Sequence, residues 1–365
     1  MILTETKPIK ITTLKNIKNF NLKKALKVLF VLIPLGVTAN IIFSLLKSDK
    51  NVFHILNQFS FEYLLLAIGL ALVPWITNSI RLKLWTKFFN TDLPVREIFK
   101  IIVGCDLGAA VSPTALGGGY VKLAMLIEKG MPAGKAASLM TLTSVEDLIF
   151  FILSLPAAII FTSSSDIPVL KELSSQVKEM GVSIMVLLIL FLVILLFIWT
   201  KKILNNKNKT RSKYSSGSSG KIKKFWHDFI TSYKVIGKQG KILFGFMILL
   251  AAIQWICRYS VITALLACFK VPLHPIKFFL FQWIVFTITT FTPTPGGSIG
   301  AEASFYLIYR PYIPEEIIGI ATAGWRFLTF YLQLSLGIIL FYFLHFQTLK
   351  SGGIKKVPLQ QPQSN

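Results

Sequence analysis

The run VSIMVLLILFLVILLFIW, residues 182–199, extends for 18 residues without a charge. As a helix it would reach roughly 27 Å, close to the hydrocarbon thickness of about 30 Å. Similar runs recur in a chain that is 53 % hydrophobic. Lipid offers no partner for a backbone N–H or C=O, so such runs fold as helices that satisfy their own backbone. The candidate spans are 28–46, 61–80, 137–161, 182–200, 242–268 and 317–346. Two further apolar segments, 98–127 and 278–309, are broken by Pro and Gly.

The formal net charge of +23 does not point to nucleic acid, because the basic residues lie between apolar runs and no soluble domain offers a reading surface. It is a topology signal. Residues 1–27 carry Lys7, Lys10, Lys15, Lys18, Lys23, Lys24 and Lys27 and form a basic cytoplasmic amino terminus. The first span, 28–46, lacks a small-residue cleavage site after it and reads as uncleaved. Segment 201–241 sets twelve Lys and Arg against the single acid Asp228 and reads as a basic cytoplasmic linker, with SSGSSG (215–220) as a flexible stretch. The tail, 347–365, is expected in the cytoplasm too.

These orientations constrain the broken segments. A single crossing by 98–127 would force 201–241 to the outside, so 98–127 must return to the face it came from. Its first arm, 98–111, has about 14 residues, or roughly 21 Å as a helix, too short to span. A re-entrant hairpin fits, and the same reasoning applies to 278–309 from the opposite face. The expected fold is an all-α polytopic membrane protein with about six full spans plus two re-entrant helical hairpins arranged as inverted repeats. Its halves are 28–200 and 242–346. Consistent with a repeat, SPTALGGGYVK (112–122) aligns without gaps on TPTPGGSIGAE (292–302) at an offset of 180, which also superposes Trp75 on Trp255, Thr114 on Thr294, Lys122 on Glu302 and Glu146 on Arg326.

A helix breaks inside a membrane only where protein or a wet cavity satisfies the freed backbone groups. The turns, with Thr114, Gly117, Gly118 and Gly119 in one and Thr294, Gly296 and Gly297 in the other, are therefore expected to line a shared cavity near the midplane. The glycines either let an anion approach the backbone or serve close helix packing. Lys122, Glu146, Asp147, Glu302 and Arg326 put ionisable groups into apolar runs and are expected to form one charged network. Arg258 is a candidate for lipid phosphate, and Arg81 reads as an anchor at the cytoplasmic interface. Cys105, Cys257 and Cys268 and the four scattered histidines suggest no disulfide framework, metal site or cofactor.

The Gly-rich turn followed by a base, the pair Glu146–Asp147, PTPGGSIGAEASF (293–305) and the late Arg326 together resemble the transmembrane domain of the lysylphosphatidylglycerol synthase/flippase family. That family includes the multiple peptide resistance factor and many stand-alone bacterial and archaeal relatives, and the likeness covers roughly residues 25–346. The resemblance implies movement of aminoacylated or other polar lipids between leaflets of the cell membrane. At 365 residues the chain leaves no room for the aminoacyl-transferase domain of two-domain members, so synthase activity is not expected. Relatives often carry arginine after the first Gly turn and in the acidic motif, where this chain has Lys122 and Glu146–Asp147.

The leading expectation is thus a non-enzymatic flippase-like transporter of a polar or anionic phospholipid. No P-loop is present, so motion would be downhill or ion-coupled, with Glu146, Asp147 and Glu302 as candidate proton carriers. The expected partners are membrane lipids, a second copy of the chain, and a separately encoded lipid-modifying enzyme. The alternatives are an intramembrane enzyme acting on head groups, or a scaffold or sensor attracting anionic lipid through 201–241.

Overall fold

The computed structural model describes residues 59–112, 117–162, 218–292 and 294–350. The expected spans 28–46 and 182–200, Thr114 and both termini lie outside the described residues. Among the described residues all regular structure is helical: α1 (Phe61–Phe88), α2 (Val95–Val111), α3 (Gly117–Glu128), α4 (Ala133–Thr162), α5 (Ser218–Gln239), α6 (Lys241–Cys268), α7 (Pro275–Phe291), α8 (Ser298–Tyr309), α9 (Glu315–Arg326) and α10 (Leu332–Lys350). Four helical stretches there are long and apolar enough to cross a bilayer: α1, α4, α6 and the continuous α9–α10 rod. That makes the chain a multi-pass helical protein.

Local chemistry sets the helix limits. Pro94 and Pro314 occupy the caps of α2 and α9, and Pro275 opens α7, where a missing N–H costs nothing. α1 ends at Asn90 in a left-handed conformation, with Thr91 N–H donating to Thr86 O and Asn90 N–H to Lys87 O, a Schellman closure. α6 ends in the same way at Lys270, with Val271 N–H donating to Leu266 O.

The correspondence goes further. α1 and α6 both have 28 residues, α2 and α7 both have 17, and the bounds of each pair differ by 180. The bond closing α2, Ser112 N–H to Gly108 O, recurs as Thr292 N–H to Ile288 O. α1 and α6 run antiparallel: Ser60 N–H donates to Cys268 O, placing the start of α1 beside the end of α6. The early part of α1 (Ala67, Ala71) joins the later part of α6 in one apolar cluster with α7, α8 and α9, while Leu82 and Trp85 join Met247 and Leu250 in a second with α2. Lipid is as apolar as leucine, so this crossing relies on close packing of small residues such as Ala67, Ala71, Ala251 and Ala264 rather than on water exclusion.

Both broken segments form helical pairs, α2 with α3 and α7 with α8. In the first, a Cβ on Gly118 would come within 2.6 Å of Cys105 O and one on Gly117 within 2.7 Å of Gly108 O, so these glycines allow the arms to touch. In the second, Gly296 and Gly297 adopt φ of 63° and 62°, which reverses the chain before α8.

One expectation needs correction. Residues 218–239, including part of the supposed flexible stretch, form the helix α5 rather than linker. Phe225, Phe229, Tyr233 and Ile236 recur at helical spacing. The helix is clasped to the start of α4, where a Cβ on Gly134 would lie 2.3 Å from Phe225 O, and the Tyr233 and Thr141 hydroxyls are 2.7 Å apart.

Candidate functional site

A cavity of about 180 Å³ lies between the two broken segments. Ser112 at the first break and Thr292, Thr294, Gly296 and Gly297 at the second line it. Asp106 of α2, Arg258 and Tyr259 of α6, Gln282, Thr289 and Thr290 of α7, and Arg326, Thr329 and Gln333 of the α9–α10 rod supply further polar groups to its wall.

Arg326 is held from several directions. Its Nη2 donates to Gly296 O at 2.6 Å, its Nε is 3.9 Å from Glu302 Oε1, and its guanidinium lies 4.2 Å from the Phe330 ring centroid. Immediately after it the helix loosens into a π turn over Phe327–Tyr331, a distortion frequent at functional sites. A Cβ on Gly296 would meet the Phe330 ring at 2.3 Å, so a side chain there would strike the ring under Arg326. Behind this, Trp325 Nε1 donates to Gln282 Oε1, Gln282 Nε2 to the Tyr309 hydroxyl and that hydroxyl to Phe278 O, each at 3.0 Å, fixing α7, α8 and α9 together.

Arg258 is held differently. Its charge lies 5.7 Å from the Trp255 ring and 5.4 Å from the Phe286 ring, and no carboxylate among the described residues comes within ion-pair distance. Asp106 is exposed and lines the cavity, while its Oδ2 accepts a 2.6 Å bond from Trp75 Nε1.

The remaining charges form a separate group. Glu146 is 0 % exposed and accepts from Arg81 Nε at 2.9 Å, Arg81 Nη2 at 2.6 Å and Trp85 Nε1 at 2.7 Å. Arg81 also pairs with Asp147 at 2.9 Å and donates to Gln254 Oε1 and Thr143 O. Lys122, buried, directs its Nζ to Thr143 Oγ1 at 3.4 Å. The reading of Arg81 as an interfacial anchor is therefore corrected: it is 1 % exposed and ties α1 to α4 and α6. The expected single network is two groups, Arg81–Glu146–Asp147 with Lys122 nearby, and Arg326–Glu302, and no ion pair joins them among the described residues.

Of the candidate residues, Arg258, Thr294, Gly296, Gly297 and Arg326 line the cavity and Glu302 stands beside it; Lys122, Glu146, Asp147, Gly117, Gly118 and Gly119 do not line it. Asp106 and Tyr259 were missed by the sequence reading. Asp106 carried the same signal as Glu146, an acid in an apolar run, but lay within an arm read only for its length.

Helical pairs broken at matching places around a shared cavity, in a bundle with several helices long and apolar enough to cross a bilayer, are those of a multi-pass membrane protein. The chain matches the lysylphosphatidylglycerol synthase TM region family over residues 26–337 and belongs to it. It is also similar to a UPF0104 membrane protein of Archaeoglobus fulgidus, 22% identical over an alignment of 322 residues that covers 85% of this chain and 94% of the relative.

Proposed function

We propose that this protein moves a polar lipid between leaflets of the cell membrane, with the head group passing through the cavity and the acyl chains remaining in lipid. The observation that carries this reading is the cavity's position, walled by both helix breaks and lined by two arginines, an aspartate and several threonines. α3 and α8, with 12 residues each, reach roughly 18 Å, well short of the hydrocarbon core, so both pairs suit re-entrant hairpins better than two full crossings. The recurrence of helix bounds at an offset of 180 and the antiparallel α1–α6 crossing support an inverted repeat. In that arrangement both termini and α5 face the cytoplasm, and lipids are the partners. Arg326, held by Gly296 O and beside Glu302, steadies the second turn and presents its charge on the cavity wall.

The test is leaflet exchange of a fluorescent phospholipid in proteoliposomes. Arg326→Gln and Glu302→Gln should each lower the exchange rate at least about tenfold, as loss of a buried charged partner does, while membrane insertion is retained. Exchange at the wild-type rate from both variants would remove transport through this site.

A further inference from the structure

The cavity wall made by α6 and the second turn holds polar groups with nothing to bind. The Tyr259 hydroxyl is buried in a residue 2 % exposed and has no hydrogen-bond partner, and the buried Thr294 Oγ1 has none either. On the same wall Arg258 makes ring contacts, which engage its charge but accept no N–H bond, and its charge also acts on Asp106 without a hydrogen bond to it. All three residues line the same cavity. Buried groups of this kind are ordinarily satisfied, and leaving them unpaired is costly. A guanidinium only donates, and a hydroxyl readily donates, so the missing partner is an acceptor with several oxygens and negative charge. Phosphate fits this, since a planar guanidinium can meet two of its oxygens at once. Arg326 is already engaged by Gly296 O, Glu302 and Phe330, whereas Arg258 feels the charge of Asp106 on the same lining but has no carboxylate at ion-pair distance among the described residues, so its N–H groups stay open to an anion.

We infer that Arg258, Tyr259 and Thr294 form a phosphate subsite that recognises the head group of an anionic phospholipid, a deepening that rests on the transport reading for the lipid but not for the phosphate. Recognition centres on the phosphate rather than on whatever is esterified beyond it. Asp106, the acid on the cavity lining, sets a limit: a second negative charge on the ligand would be repelled, so a singly charged phosphodiester is preferred to a phosphomonoester.

The experiment is native mass spectrometry of the full chain in a phosphate-free maltoside detergent. Phosphatidylglycerol is compared with diacylglycerol of the same acyl chains, and inorganic phosphate is offered alone. Phosphatidylglycerol should bind and diacylglycerol should not. Arg258→Gln and Tyr259→Phe should each weaken binding about tenfold or more, whereas Arg310→Gln, at an exposed pair with Glu315, should leave it unchanged. Tyr259→Phe removes one oxygen and keeps the ring, so it tests the site even if Arg258→Gln fails to fold. Equal binding of diacylglycerol, or undiminished binding by Tyr259→Phe and a folded Arg258→Gln, would overturn the subsite. Binding of inorganic phosphate as tightly as the lipid would assign the site to the free ion and overturn the lipid assignment. Phosphate-dependent binding without leaflet exchange would remove the transport reading and leave the subsite standing; exchange indifferent to both variants would do the reverse.

Discussion

Glu146 is fully buried yet accepts three donated bonds, two from Arg81 and one from Trp85, so its charge is compensated at its own oxygens. Breaking such a pair from one side leaves an uncompensated charge and costs about 3–5 kcal/mol. Arg81→Gln should therefore sharply lower the thermal unfolding midpoint in detergent. Arg310→Gln, whose pair with Glu315 is exposed, should change stability by less than about 1 kcal/mol. Equal midpoints for the two variants would show that the buried pair carries no stability. The acids were legible in the sequence because charge inside an apolar run stands out. Their partners were not. The offset of 180 matches Glu146 with Arg326 and Lys122 with Glu302, but equivalence under a repeat is not proximity, and equivalent positions meet only near the symmetry axis. Glu146 instead takes the arginine that the adjacent helix α1 presents.

At the scale of elements, both breaks were readable from Pro and Gly, and the first falls after Val111 as expected. What the glycines do was not readable, since a Gly-rich turn serves tight packing and left-handed backbone equally well. Gly117 and Gly118 serve the first and Gly296 and Gly297 the second. Gly118→Ala would set its methyl against the Cys105 carbonyl and spread α2 from α3, an overpacking cost of about 1–3 kcal/mol. Gly69→Ala, in α1 with open space around it, should be neutral or slightly stabilising. Unfolding midpoints of the two variants measure this, and indistinguishable values would mean that the arms do not need their close approach. α5 escaped notice because it was read together with the basic run before it; its apolar periodicity was present but outweighed.

Topology belongs to the whole molecule. Asn90 and Pro132 occupy exposed turns at one end of the proposed arrangement, and His274 and Pro311 occupy exposed turns at the other. In a cysteine-free background, Asn90→Cys and Pro132→Cys should react with an impermeant maleimide only after the cytoplasmic face is opened. His274→Cys and Pro311→Cys should react in intact cells. Labelling of Asn90→Cys and Pro132→Cys from opposite sides would mean that α2 and α3 together cross the membrane once, ending the re-entrant reading. The antiparallel crossing of α1 and α6 carries one more consequence. Each of these helices lends one end to each apolar cluster, and under a two-fold relation that contact is isologous, each surface being the complement of its own copy. Under that relation a half carrying α1 to α4 would be complementary to a second copy of itself inserted in the opposite sense.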